Sequence, residues 1–300
     1  MKIDSNQMLI FFAYLMVVII FFLLASYSSG PAYLADEIGY LANAGYIAGY
    51  RVDGASSYHA GYSFVISVAF RLFDDPFSIW KTVIAINAVT FSISLYLLSC
   101  LLKKLFPEFS IRNRLIAVLF AAIYPSWAVM VGYAFPSILL VCLYVASTLS
   151  LTRFEYNRTV SVLPFSFLVG FIYWVHPTGL AILASSIAVV TLYSIMRKCY
   201  FHIILHVVVV ITLVVFYKFG VHTWIQESLT PEGYLPRLHY PSTEKLLALI
   251  QTQEFWEKFI LRFFGEFSYA LIASMGTIGF AIYMIGKRVV SSTEDKLIFI

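Results

Sequence analysis

Charge is what this sequence has least of. Asp, Glu, Lys and Arg make up 12% of its 300 residues, against 61% apolar, and the mean hydropathy is +0.85. A water-facing globule carries about 25% charged residues, so a soluble domain is excluded. The three cysteines, Cys100, Cys142 and Cys199, sit in or beside apolar runs with no ligand spacing, which excludes a disulfide framework and a cysteine metal site. A net charge of +4 is too small to point to nucleic acid. The apolar run at 8–27 is longer than a signal-peptide core and no cleavage site follows it, so it reads as a retained first span.

What remains is a polytopic membrane protein, an all-α helix bundle. Crossing ~30 Å of hydrocarbon takes about 20 residues. Apolar runs of that order occur near 8–27, 78–102, 114–132, 134–152, 160–175, 178–196, 200–221 and 262–286, which predicts about eight spans in a single module. The 160–175 run is short and Pro177 follows it, so 160–196 also reads as one broken hairpin. Leu297 to Ile300 look like either the start of a further span or a short tail that ends at the interface. The aromatic share of 18% suits interfacial belts at the ends of such helices.

Basic residues orient the bundle. With the N-terminus inside, the inner segments carry Lys2, Lys103, Lys104, Arg112, Arg114, Arg153, Arg158, Arg197, Lys198, Lys287, Arg288 and Lys296, twelve of the twenty lysines and arginines. The two long outer segments, 28–77 and 222–261, hold only Arg51, Arg71, Arg237, Lys245 and Lys258, while acidic residues gather there. Positive charge on the short loops marks the cytoplasmic side. A bacterial inner membrane is the expected location, with both long loops extracytoplasmic.

Long loops in a bundle of short connections carry function more often than architecture. In the first, Ile38, Leu41, Gly45 and Ala48 repeat at helical spacing, and Tyr62 to Phe73 is apolar but too short to span. Both predict helices lying at the outer surface. In the second loop, Ser242 to Phe259 predicts another surface helix, with Trp224, Tyr234, Tyr240 and Trp256 as belt or sugar-stacking aromatics. Asp36-Glu37 opens the first helix. Carboxylates there complement the helix dipole; at a membrane surface one can also accept a proton from an attacking hydroxyl. Adjacent helical residues point about 100° apart, so the two would do different jobs.

Tyr33-Leu34-Ala35-Asp36-Glu37-Ile38-Gly39-Tyr40-Leu41 resembles the first outer loop of membrane glycosyltransferases of the GT-C fold, relatives of the protein O-mannosyltransferases and the aminoarabinose and arabinofuranosyl transferases. Tyr58-His59-Ala60-Gly61-Tyr62 stands where that family has a Tyr-Pro-Pro-Gly-Tyr-like element. Tyr124-Pro125-Ser126 and Phe135-Pro136-Ser137 resemble its third and fourth helices, without the glutamate many members carry near 135–136. His176-Pro177-Thr178-Gly179-Leu180 resembles its Arg-Pro-Thr-Gly-Leu corner, with histidine in place of arginine. Gly265 to Leu271 is similar to the start of a later span, so the resemblance covers about 25–286 in order.

The resemblance implies an inverting transferase that moves a sugar from a polyprenyl-phosphate donor to a hydroxyl of a glycan, lipid or protein at the outer face. Asp36 would be the base and Glu37 an assisting carboxylate. His176, His59, Tyr58, Tyr62, Lys218 and Arg237 would bind the donor phosphate or substrate, with Arg51, Arg71 and Arg262 as other phosphate partners. No cofactor is required; a divalent metal near His59, Asp36 and Glu37 stays open. His202 and His206, spaced i, i+4, lack a third ligand and read as structural. Two other readings stand beside this one: a transporter or flippase, disfavoured by uncharged span centres and no visible repeat, and a non-catalytic membrane partner in polysaccharide assembly.

Overall fold

The computed structural model describes residues 5–27, 30–31, 35–52, 58–124, 130–153 and 159–225, with 252, 253 and 257 as isolated positions. The chain divides into two compact units, Met1–Pro236 and Arg237–Ile300, and the described fold is that of the first. The span at 262–286 and nearly all of the second outer loop lie outside the described residues.

The described elements are all helical: α1 Ser5–Ser26, α2 Ala35–Ile47, α3 Gly61–Leu72, α4 Pro76–Leu105, α5 Ile111–Ala122, α6 Ser137–Leu151, α7 Leu163–Val175 led by a 3-10 turn at Thr159–Val162, α8 Gly179–Arg197, and α9 Phe201–Val215, which continues as a π-helical stretch Phe216–His222. Three helical stretches are long and apolar enough to cross a membrane: Pro76–Leu105, Gly179–Met196 and Phe201–Ile225. Four more are apolar but shorter: Phe12–Ser26, Gly61–Leu72, Ser137–Leu151 and Thr159–Val175. The span expected at 114–132 is not one helix, because α5 stops at Ala122. Pro125 follows Tyr124, and a residue before proline is pushed out of the helical region.

Local sequence sets the ends. Asp75 caps α4 by accepting the Ser78 N–H at 2.8 Å, with Pro76 at the first helical position, and Ser110 caps α5 through the Asn113 N–H at 3.2 Å. α8 ends on Lys198 in the left-handed conformation, φ 56°.

α1 packs on α4, α4 on α6, α6 on α7, and α7 on α8 and α9. The α1–α4 seam is polar as well as apolar. Ser92 Oγ donates to the Tyr14 carbonyl at 3.0 Å and the Phe21 and Phe91 rings meet at 4.7 Å. α7, α8 and α9 are tied by the buried His206, whose ring nitrogens lie 2.8 Å from Ser166 Oγ and 3.0 Å from Ser186 Oγ. That is the structural role expected of the i, i+4 histidines.

The first loop forms two helices where the sequence predicts them, α2 at Ala35–Ile47 and α3 at Gly61–Leu72. α3 lies against α2, α4 and α7, with Tyr62, Ile66 and Ala69 buried. α2 buries Glu37, Tyr40, Asn43 and Ala44, while Ile38, at the head of the expected apolar stripe, is 48% exposed. Gly45 of that stripe is buried and Leu41 packs against the core, so the buried face takes in part of the stripe together with a carboxylate and an amide that apolar periodicity does not detect.

Candidate functional site

The site begins with two glycines that let backbones touch. At Gly61 a Cβ would lie 2.6 Å from the Trp174 carbonyl carbon and 2.8 Å from the Val175 nitrogen, so the start of α3 seats directly on the end of α7. At Gly179 it would lie 2.7 Å from the Tyr173 Cα. These glycines belong to the Tyr58–Tyr62 element and the His176–Leu180 corner, and their close approach brings the two elements together. α2 is laced to the first by the Asn43 Nδ2–H donating to the Tyr58 carbonyl at 3.3 Å and Ser63 Oγ donating to the Tyr40 carbonyl at 2.9 Å.

The two carboxylates at the head of α2 divide as the 100° rule requires. Asp36 is exposed, and the Tyr58 hydroxyl donates to its Oδ1. That hydrogen bond to a carboxylate, with a smaller contribution from burial, pushes the Tyr58 phenol up to about 12, so the donor persists across the physiological range. Glu37 is fully buried; its Oε1 accepts the Ala134 N–H at 2.9 Å and its Oε2 has no partner among the described residues. Glu37 therefore anchors α2 to the turn before α6, and the expected assisting role on substrate gives way to one inside the protein.

Tyr62 is likewise a core residue, contrary to the substrate contact expected of it. Its hydroxyl donates to Asn87 Oδ1 at 2.9 Å, and Asn87 Nδ2 donates in turn to the carbonyls of Val131 at 3.2 Å and Tyr133 at 2.8 Å. Arg71 is exposed, and its guanidinium donates to the Ile47 carbonyl at the end of α2 at 3.3 Å. Arg51 is exposed. Arg237 and Arg262 lie outside the described residues.

The two histidines are held in opposite tautomers. His176 Nδ1 accepts the Thr178 N–H at 3.2 Å and faces the Thr178 hydroxyl at 2.9 Å, which leaves its proton on Nε2. Burial lowers its pKa, and the Asp36 carboxylate partly opposes that shift. His59 Nδ1–H donates to the Tyr173 carbonyl, so its Nε2 is a bare lone pair. Burial, together with the charges of His222, His176 and Lys218, outweighs that bond and lowers His59 to about 4. A neutral imidazole offering a lone pair repels a phosphate oxygen, which corrects the expected donor-phosphate role of His59. His176, with an N–H to give, and the exposed Lys218 remain suited to an anion.

The sequence reading missed the floor beneath His59. Tyr217, one of the π-helical residues, is 1% exposed; its hydroxyl accepts the Ala60 N–H at 2.9 Å, and its ring lies 5.0 Å from the His59 ring and 5.4 Å from Trp174. His222 closes the group, 6.2 Å from His59. π-Helical turns of this kind often mark functional positions, but a tyrosine inside an apolar run looks like any belt aromatic. Among the described residues, no three His, Cys, Asp or Glu side chains converge to hold a metal.

No protein family, characterised protein or solved structure matches the chain.

Proposed function

We propose that the protein is a membrane glycosyltransferase of the GT-C type, taking its sugar from a polyprenyl-phosphate donor. The carrying observation is the meeting of Asp36, Tyr58 and His176 from three separated elements: the Tyr58 hydroxyl donates to the exposed Asp36 carboxylate, whose charge reaches the His176 imidazole. In this reading the acceptor oxygen attacks the anomeric carbon of the donor. Its proton passes to Asp36, the bond from that carbon to the phosphate oxygen breaks, and the electron pair leaves with polyprenyl phosphate. A single displacement of this kind inverts the anomeric centre.

Each residue then has a task. Tyr58 holds Asp36 in one rotamer, which limits the loss of orientation on reaction. His176 Nε2–H and Lys218 supply a hydrogen bond and a charge to the departing phosphate. Glu37 fixes the helix that presents Asp36. His59 stays uncharged beside them and offers its lone pair to a hydroxyl of the acceptor or sugar. A sugar-transfer assay on native membranes tests the reading, with a panel of radiolabelled polyprenyl-phosphate sugars. Transfer from at least one donor is expected; none across the panel would return the weight to a transporter or a non-catalytic partner.

A further inference from the structure

Where α6 ends and α7 begins, a groove of about 480 Å³ opens between α4, α6 and α7. It lies at the far end of α7 from the Gly61 contact, so it is separate from the Asp36 site. Leu97, Leu149 and Leu168 line it together with Ser150, Ser161 and Arg153. Ser161 to Leu168 covers about 10 Å along the helix axis, so the lining grades from polar to apolar over roughly two turns.

Arg153 is exposed in the turn after α6 and makes no ion pair among the described residues. An arginine at a helix C-terminus complements the dipole, which explains its charge but not the groove beside it. The start of α7 borders the same groove and adds the partial positive charge of a helix N-terminus. None of the groove's lining residues is a carboxylate. Lys103, Lys104, Arg112 and Arg114 belong to the same end of the bundle, where α4 finishes and α5 begins.

We propose that this groove binds an anionic glycerophospholipid, with the lipid phosphate on the Arg153 guanidinium and an acyl chain along Leu97, Leu149 and Leu168. Guanidinium matches phosphate geometry with two parallel N–H donors, and basic pockets between spans on the cytoplasmic side take lipid head groups. The apolar depth selects a tailed ligand over a free anion. The site is independent of the sugar chemistry at the other end.

Native mass spectrometry of the full-length protein, exchanged into detergent with phosphatidylglycerol or phosphatidylcholine, tests this. Wild type should retain phosphatidylglycerol roughly fivefold better, the effect of about one basic residue near a lipid phosphate. Arg153→Gln should erase that preference and Lys104→Gln should keep it. Leu168→Phe, which narrows the groove and leaves the charge, should lower retention of both lipids. Should Arg153→Gln fail to fold, Leu168→Phe decides alone. Equal retention of the two lipids by wild type, an unchanged preference in Arg153→Gln, unchanged retention in Leu168→Phe, or displacement by millimolar inorganic phosphate would each overturn the proposal.

Discussion

Gly61→Ala is the sharpest test of how the site is assembled. The added methyl would sit 2.6 Å from the Trp174 carbonyl carbon, 2.7 Å from its oxygen and 2.8 Å from the Val175 nitrogen. All three are backbone atoms of α7, so no side-chain rotation relieves the clash and α3 must move off its seat. Overpacking of this kind costs about 1–3 kcal/mol, and alanine's helix preference over glycine returns at most about 1 kcal/mol. For a unit of this size a net loss near 1–2 kcal/mol lowers the thermal midpoint by roughly 2–8 °C. Gly220→Ala is the control, since its methyl meets only the Phe216 ring at an ordinary 3.7 Å and should be neutral or slightly stabilising. The assay is thermal unfolding of detergent-solubilised protein, followed by intrinsic fluorescence. A Gly61→Ala midpoint equal to wild type would refute the close seating of α3 on α7, and with it the juxtaposition of Tyr58 and His176.

The other expectations are narrower. His59 has a folded pKa of about 4 against an ordinary 6.5, so the unfolded chain binds the extra proton first; stability should fall as pH drops from about 6.5 to 4, by up to about 3 kcal/mol. His59→Gln should flatten that part of the midpoint-against-pH curve, and an equally steep curve would count against the buried neutral ring. Glu37→Gln keeps an acceptor for the Ala134 N–H and should cost little, whereas Glu37→Ala leaves that buried donor unpaired at about 1–3 kcal/mol; equal midpoints for the two would remove the anchoring role. His206→Leu breaks both serine links among α7, α8 and α9 and should cost roughly 0.6–2 kcal/mol, as measured for hydrogen bonds between membrane helices; a midpoint at or above wild type would contradict it.

Part of the bundle was legible because long apolar runs mark long apolar helices directly, and α4, α8 and α9 match the expected spans in place and length. α2 and α3 fall where the periodicity predicts helices, but the polar groups they bury are not legible: Glu37 on the Ala134 N–H, and Tyr62 on Asn87. A sequence shows a glutamate or an asparagine but not the backbone N–H or carbonyl that will meet it. Asp36 and Tyr58 could be singled out as residues, yet not as partners, since 22 positions separate them. The histidine tautomers were equally hidden, being set by one carbonyl at Tyr173 and one N–H at Thr178.

The most direct test of the glycosyltransferase reading is transfer by purified protein in liposomes, wild type against Asp36→Asn, with the donor that native membranes use. Loss of a general base costs about 100-fold or more, so Asp36→Asn should transfer at no more than about 1% of wild type with an unchanged thermal midpoint. Transfer within about twofold of wild type by a folded Asp36→Asn protein would contradict the assignment of Asp36 as the base and leave it a helix-capping carboxylate.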